Sequence, residues 1–191
     1  MGRLRTRAGF TLVETMVTGG LLLSTSLIIT LWMNGASELW WVTATQSDVR
    51  MKAQQGVQRI SDELRSGTRT APASPPNAVI PAAPNNTQVT FYLPADLDAN
   101  GTVVDAIGQT EWGVLSPIVY AYDANTRRIL RTQNGTTTQI VQDVQAATFE
   151  DRTINNTLNT DEIRITITVQ RLTPQRRSLQ STTVETVQLR N

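Results

Sequence analysis

The sequence predicts an α+β fold in which one long amino-terminal helix packs on an antiparallel β-sheet. An apolar run extends from Phe10 to Met33, and apolar residues then recur every three or four positions as far as Leu64. After a proline-rich interval the apolar spacing changes to every second residue, which is the period of a half-buried strand. We therefore expect helix over residues 10–67, a linker over 68–86 and a β domain over 87–191.

The first part of the predicted helix, residues 10–33, is typical of a membrane span. At about 1.5 Å per residue it is long enough to cross a hydrocarbon core roughly 30 Å thick. Arg3, Arg5 and Arg7 precede it and favour an amino terminus in the cytoplasm, with the following domain outside it. Glu14 is the one charge inside the run. Because a carboxylate in hydrocarbon costs at least about 2–3 kcal/mol, Glu14 is expected to have a partner.

The second part of the predicted helix, residues 34–67, is amphipathic. Its apolar stripe consists of Val49, Ala53, Val57, Ile60 and Leu64, with charged residues on the opposite face. Trp40 and Trp41 suit either the membrane boundary or packing under the β domain, and the sequence leaves both open. The helix is predicted to end at Gly67 in a left-handed cap.

The linker and the strands follow from composition and alternation. Residues 68–86 contain most of the chain's 8 prolines, which disfavour regular structure. Alternating β-branched and aromatic residues predict antiparallel strands over Gln88–Leu93, Ile118–Tyr122, Arg128–Thr132, Thr138–Val141, Ala147–Asp151, Glu162–Gln170 and Thr182–Leu189.

Composition excludes several function classes. The chain has no cysteine and no histidine, which excludes disulfides, thiolate and imidazole metal sites, and histidine-based catalytic triads. No pair of acids is placed by a recognisable motif, so we do not expect an enzyme. The formal net charge of +1 gives no indication of nucleic-acid binding.

One polar segment has the spacing of a calcium loop. Asp96, Asp98 and Asn100, followed by Gly101, match the first half of such a loop, in which alternate side chains converge on the ion. The twelfth position is Ile107 instead of glutamate, so Asp105 or Glu111 would have to substitute by a different path. Aspartate and asparagine also dominate ordinary turns, and both interpretations stay open.

The amino terminus carries a family resemblance. Gly9-Phe10-Thr11-Leu12-Val13-Glu14, after a short basic leader and before an apolar helix, resembles the class III signal of type IV prepilins and pseudopilins. The resemblance implies a pilin-like lollipop fold, a leader of residues 1–9, and cleavage between Gly9 and Phe10 by a prepilin peptidase that also methylates the new terminus. It further implies that Glu14 faces the terminal amine of a neighbouring subunit during assembly.

The strand order is also similar, more loosely, to W-type minor pilins and J-type minor pseudopilins. The predicted function is that of a minor pilin or minor pseudopilin, a structural subunit of a type IV pilus tip or a type II secretion pseudopilus. The implied partners are the prepilin peptidase, other pilin or pseudopilin subunits, the inner-membrane platform of the assembly machine, and the lipid of the bacterial inner membrane. A membrane-tethered binding protein that never polymerises is the alternative.

Overall fold

The computed structural model describes residues 11–67, 80–113 and 116–189. The predicted leader, the processing residues Gly9 and Phe10, and most of the predicted linker lie outside the described residues. One helix, α1, spans Leu12–Ser66. The strands are β1 (Gln88–Phe91), β2 (Ile118–Asp123), β3 (Arg128–Gln133), β4 (Thr136–Val141), β5 (Val144–Glu150), β6 (Glu162–Leu172) and β7 (Ser178–Gln188). One long helix followed by antiparallel strands confirms the α+β class.

The chain forms two compact units, Met1–Thr43 and Ala44–Asn191. In the first unit the described residues after Thr11 belong to α1, and their large apolar side chains as far as Trp41 are exposed. An isolated helix gains no tertiary burial from its own chain, so the stability of this segment depends on what surrounds it.

The second unit holds the hydrophobic core. The predicted stripe of α1, which consists of Val49, Ala53, Val57, Ile60 and Leu64, is fully buried. It belongs to one cluster with the inward-facing side chains of both sheets, including Phe91, Tyr120, Phe149 and Ile165. The 3.6-residue spacing of α1 and the two-residue spacing of the strands thus converge on the same core, as the sequence predicts.

The strands form two antiparallel sheets where the sequence predicts one. The first has the order β1-β2-β3-β4 and the second the order β5-β6-β7. In both sheets, strands consecutive in sequence are neighbours, which is the arrangement that short turns produce. The β3–β4 hairpin closes through Asn134 and Gly135, both with positive φ (51° and 72°), because a two-residue hairpin turn requires this conformation.

Three strands begin earlier than predicted, and one of them is β5, which begins at Val144 instead of Ala147. β4 begins at Thr136 because the turn needs only Asn134 and Gly135. β7 begins at Ser178, which pairs with Leu172, so that β6 also continues past Gln170. Backbone hydrogen bonds extend β4 and β7 through mostly polar residues.

Gly67 ends the helix for a different reason from the one predicted. Its φ lies outside the left-handed region, so the prediction of a left-handed cap is wrong. Its N–H donates to the carbonyls of Glu63 and Leu64 at 3.1 and 3.0 Å. A Cβ at this position would lie 2.7 Å from Cδ2 of Phe91 and 3.3 Å from the carbonyl oxygens of Leu64 and Tyr92. Close approach to β1, not backbone handedness, therefore requires glycine here.

Candidate functional site

Thr11 and Glu14 cap the beginning of α1. The Thr11 N–H donates to Oε2 of Glu14 at 3.4 Å, and the Glu14 N–H donates to Oγ1 of Thr11 at 3.3 Å. This reciprocal pair is a capping box, which satisfies two backbone donors that the first turn of a helix leaves without partners. Glu14 therefore has a structural role within its own chain, one that the sequence analysis did not anticipate although Thr-x-x-Glu is visible in it.

The hydroxyl groups of the first part of α1 are turned back onto the helix. Thr15 donates to the Thr11 carbonyl at 3.0 Å and Thr18 to the Glu14 carbonyl at 2.6 Å. Further along, the same pattern recurs at Ser24, Thr25 and Thr30. A hydroxyl satisfied by the preceding turn needs no water, so these residues can lie in an apolar environment.

The same segment presents an apolar surface on all sides. Leu23 is 75% exposed and Trp32 is 74% exposed, and the large apolar side chains between them are exposed as well. By length and composition, α1 is the one helix among the described residues that could span a membrane. A contiguous apolar surface of this kind needs lipid or other protein to cover it.

Of the three residues predicted to act in processing and assembly, Glu14 alone lies in the part of the chain that the structure describes. Glu14 is exposed, at the amino-terminal end of α1, where the helix dipole favours a negative charge. Its carboxylate is directed to the backbone of Thr11, which directly follows Phe10.

The residues of the predicted calcium loop lie together in an exposed turn. Asp96 accepts the N–H groups of Asn100 and Gly101, at 3.1 and 2.8 Å, and Asp98 also accepts the Asn100 N–H at 3.1 Å. Glu111 brings a third carboxylate, with oxygens of Asp96, Asp98 and Glu111 within 4.8 Å of one another. Glu111, one of the two substitutes considered from the sequence, thus joins the cluster.

The other ligand candidates are directed elsewhere. Asp105 accepts the N–H groups of Ile107 and Gln109 in a turn of its own. The side-chain amide nitrogen of Asn100 donates to Asp98, and its oxygen accepts from Thr102. These bonds are those of ordinary Asx turns, so the geometry is compatible with both interpretations and calcium binding stays a prediction.

Ion pairs within α1, and between α1 and the rest of the second unit, are absent from the predictions made from the sequence. The Nζ of Lys52 lies 3.3 Å from Oδ2 of Asp48 and 3.3 Å from Oδ2 of Asp143. The Nη1 of Arg171 in β6 lies 2.6 Å from Oδ2 of Asp48. Arg65 lies 2.8 Å from Glu185 of β7. The spacing of Asp48 and Lys52 indicates the first of these pairs, whereas the others join residues that are distant in the sequence.

A further ion pair lies beside a buried tyrosine. The Nε of Arg131 donates to Oε2 of Glu63 at 2.9 Å, and both side chains are largely covered. Tyr120 is fully buried, and its hydroxyl has no hydrogen-bond partner in the described chain. Burial, and then the neighbouring Glu63 carboxylate, raise the pKa of Tyr120 well above its usual value, which keeps the phenol neutral.

Comparison of the chain with protein-family models, with curated proteins and with solved structures found no match.

Proposed function

We propose that this chain is a minor pilin or minor pseudopilin, a structural subunit that is cleaved after Gly9 and assembles through the first part of α1. The observation that carries the proposal is the Gly9-to-Glu14 motif at the head of an apolar helix. Three features of the described residues support it. They are the apolar surface on all sides of the first part of α1, the self-satisfied hydroxyls along that part, and a single acid at its beginning.

The proposed mechanism assigns two successive roles to Glu14. In the free subunit its carboxylate caps α1 through the Thr11 N–H. In the assembled filament the same carboxylate pairs with the amine of Phe10 on a neighbouring subunit. Because a buried acid without a partner is strongly unfavourable, this pairing would fix the axial register of adjacent helices. The β domain would then make contacts between subunits outside the membrane.

The proposal places the chain first in the bacterial inner membrane, with its amino terminus in the cytoplasm, and later in a pilus or pseudopilus. Its partners would be the prepilin peptidase, other pilin or pseudopilin subunits, the inner-membrane platform of the assembly machine, and membrane lipid. The mature amino terminus tests the processing step. Mass spectrometry of the protein from cells with an active prepilin peptidase should show a chain that begins at N-methylated Phe10. A chain that retains residues 1–9 in such cells contradicts the proposal.

Substitutions at Glu14 separate its capping role from its charge. Glutamine at the third helical position also forms a capping box, so Glu14→Gln retains the cap and removes the charge. Thr11→Ala is the matched control, because it removes the threonine half of the cap and retains the charge. We expect Glu14→Gln to abolish incorporation into filaments and Thr11→Ala to preserve it, as measured by the subunit in sheared filament fractions. Normal assembly of Glu14→Gln would reduce Glu14 to a helix cap.

The alternative of a tethered binding protein makes a different prediction for the membrane helices. A single cysteine at Leu22 introduces a thiol into an otherwise cysteine-free chain. An assembling subunit should form a disulfide through this position with a cysteine in the apolar helix of a second pilin-like subunit. A protein that is only anchored should give no more cross-linked product than a cysteine variant of an unrelated single-span protein.

A further inference from the structure

Two strands of the second unit have an edge that no other described residue pairs with. β7 pairs with β6 alone and β4 pairs with β3 alone, and no hydrogen bond joins the outer backbone of either strand to another described residue. Unpaired backbone groups in a row are a template for another strand. Natural proteins usually block such edges with charge, proline or a covering loop, so an edge without these features needs an explanation.

The ladder with β6 shows which backbone groups of β7 are free. At one end of β6 the Thr173 N–H donates to the Arg177 carbonyl, and at the other end the Leu189 N–H donates to the Asp161 carbonyl. Because hydrogen-bonded pairs alternate along an antiparallel ladder, the odd-numbered residues of β7 bond to β6. The outward groups therefore belong to the even-numbered residues Ser178, Gln180, Thr182, Val184, Thr186 and Gln188.

Both open edges are uncharged. The six outward residues of β7 are neutral, and Glu185, the one charged residue of the strand, is paired with Arg65 on the helix side. β4 consists of Thr136, Thr137, Thr138, Gln139, Ile140 and Val141, and it has no charge and no proline. A groove of about 340 Å³ lies between α1 and the Gln139–Gln142 segment. Pairing the two edges would therefore oppose no like charges.

The two edges run in opposite directions relative to α1. Asp48 pairs with Arg171 of β6, which lies opposite Leu179 of β7, and Arg65 pairs with Glu185 of β7. The helix thus rises about 25 Å from Asp48 to Arg65 while its contacts advance about 20 Å along β7, from Leu179 to Glu185. β7 is thus parallel to α1.

Gly56 lies against Val141 of β4, and Glu63 pairs with Arg131 of β3, which lies opposite Thr138 of β4. The helix thus rises about 10 Å from Gly56 to Glu63 while its contacts move about 10 Å back along β4, from Val141 to Thr138. β4 is therefore antiparallel to α1. Two copies whose α1 segments run in the same direction would consequently bring β7 of one copy and β4 of the next together in antiparallel orientation.

We infer that the open edge of β7 is an assembly surface that pairs, antiparallel, with the open edge of β4 in a second copy of this chain. Such a head-to-tail contact uses different surfaces on the two copies. The requirement for α1 segments in the same direction rests on the proposed function. Antiparallel pairing of β7 with β7 is not expected, because it would reverse one helix relative to the other.

Paired cysteines test the contact in the full chain, which has no native cysteine. Two differently tagged copies are expressed together in membranes and treated with a mild oxidant. One copy carries Val184→Cys, and the other carries, in separate experiments, Thr137→Cys, Thr138→Cys or Gln139→Cys, so that both faces and neighbouring registers are sampled. Cysteines on paired strands reach the Cα separation of roughly 4.4–6.8 Å that a disulfide needs.

The matched control replaces the β4 cysteine by Asn125→Cys, an exposed position in the turn between β2 and β3. We expect at least one β4 position to give a heterodimer band about tenfold stronger than this control, because pairing raises the effective concentration of the two thiols. Adding Thr182→Lys to the Val184→Cys copy should reduce that band to the control level. The inference is overturned if all three β4 positions stay at the control level, or if Thr182→Lys leaves the band unchanged.

Two further measurements on the same membranes separate this inference from the proposed function. One is the mass of the mature amino terminus, and the other is cross-linking through Leu22→Cys. Cleavage after Gly9 and helix cross-linking without an edge cross-link overturn the strand pairing and support the pilin function. An edge cross-link in a chain that retains residues 1–9 supports the pairing and contradicts the pilin function.

Discussion

Gly56 is a position at which α1 packs closely against both sheets, and Gly56→Ala tests that packing. The residue is buried within α1. A Cβ added there would overlap Cγ2 of Val141 in β4 and lie 3.7 Å from Cδ1 of Ile167 in β6. Val141 is itself buried and β-branched, so it has few alternative rotamers with which to make room.

Two opposing effects set the magnitude. Alanine is better than glycine in a helix interior by about 1 kcal/mol, whereas a methyl group forced into a filled core costs roughly 1–3 kcal/mol. The net result for Gly56→Ala is a free energy of unfolding lower by about 0–2 kcal/mol. Val141→Ala, which removes two buried methyl groups, should lower it by about 1–3 kcal/mol. In the double variant the new methyl group occupies the vacated space. The loss in free energy of unfolding of the double variant should therefore be smaller, by at least about 1 kcal/mol, than the sum of the losses in the two single variants.

Urea unfolding of the full chain in detergent, followed by far-UV circular dichroism, measures all three variants. Gly35→Ala is the matched control, since it changes the same residue type in the same helix at a position with no neighbouring atom within 4 Å. It should leave the unfolding of the β-containing unit unchanged. Additive losses for Gly56→Ala and Val141→Ala would show that the two positions do not share one space, and the helix-to-sheet packing described above would be wrong.

Three further predictions concern the second unit. Tyr120→Phe removes a buried hydroxyl that has no partner in the described chain, so at neutral pH the free energy of unfolding should change by no more than about 1 kcal/mol. The folded chain holds the Tyr120 proton more tightly than the unfolded chain does, so this proton contributes to the free energy of unfolding below pH about 10. That contribution is lost as the pH rises above about 10. In urea titrations, the free energy of unfolding should therefore fall less at alkaline pH for Tyr120→Phe than for the unchanged chain. Arg131→Met leaves the half-buried Glu63 carboxylate unpaired and should lower the free energy of unfolding by about 1–3 kcal/mol, part of which Glu63→Gln in the same chain restores; equal losses with and without Glu63→Gln would contradict this. If the cluster around Asp98 binds calcium, the melting temperature should rise with added calcium, by the equivalent of about 2.7 kcal/mol at a hundredfold excess over the dissociation constant, and Asp98→Asn should remove that rise; a melt that responds to neither calcium nor chelator contradicts the calcium prediction.

The elements with strong periodicity were predictable from the sequence. The stripe from Val49 to Leu64 predicted the buried face of α1, and the alternation from Ile163 to Val169 predicted the central strand β6. Both signals are local, because the period of the backbone decides which side chains share a face. Residues such as Ser178 and Thr136 carry no such signal, and their places in β7 and β4 depend on the partner strand.

The sequence by itself determined the order of the elements, the apolar segment with one acid at its head, and the absence of cysteine and histidine chemistry. These properties depend on residue type and short spacing alone. The tertiary structure decided the division into two sheets, the ion pairs that join α1 to β3, β6 and β7, and the opposite directions of the open edges. Those features arise between residues far apart in the chain, where packing geometry sets the outcome and local pattern carries no information about it.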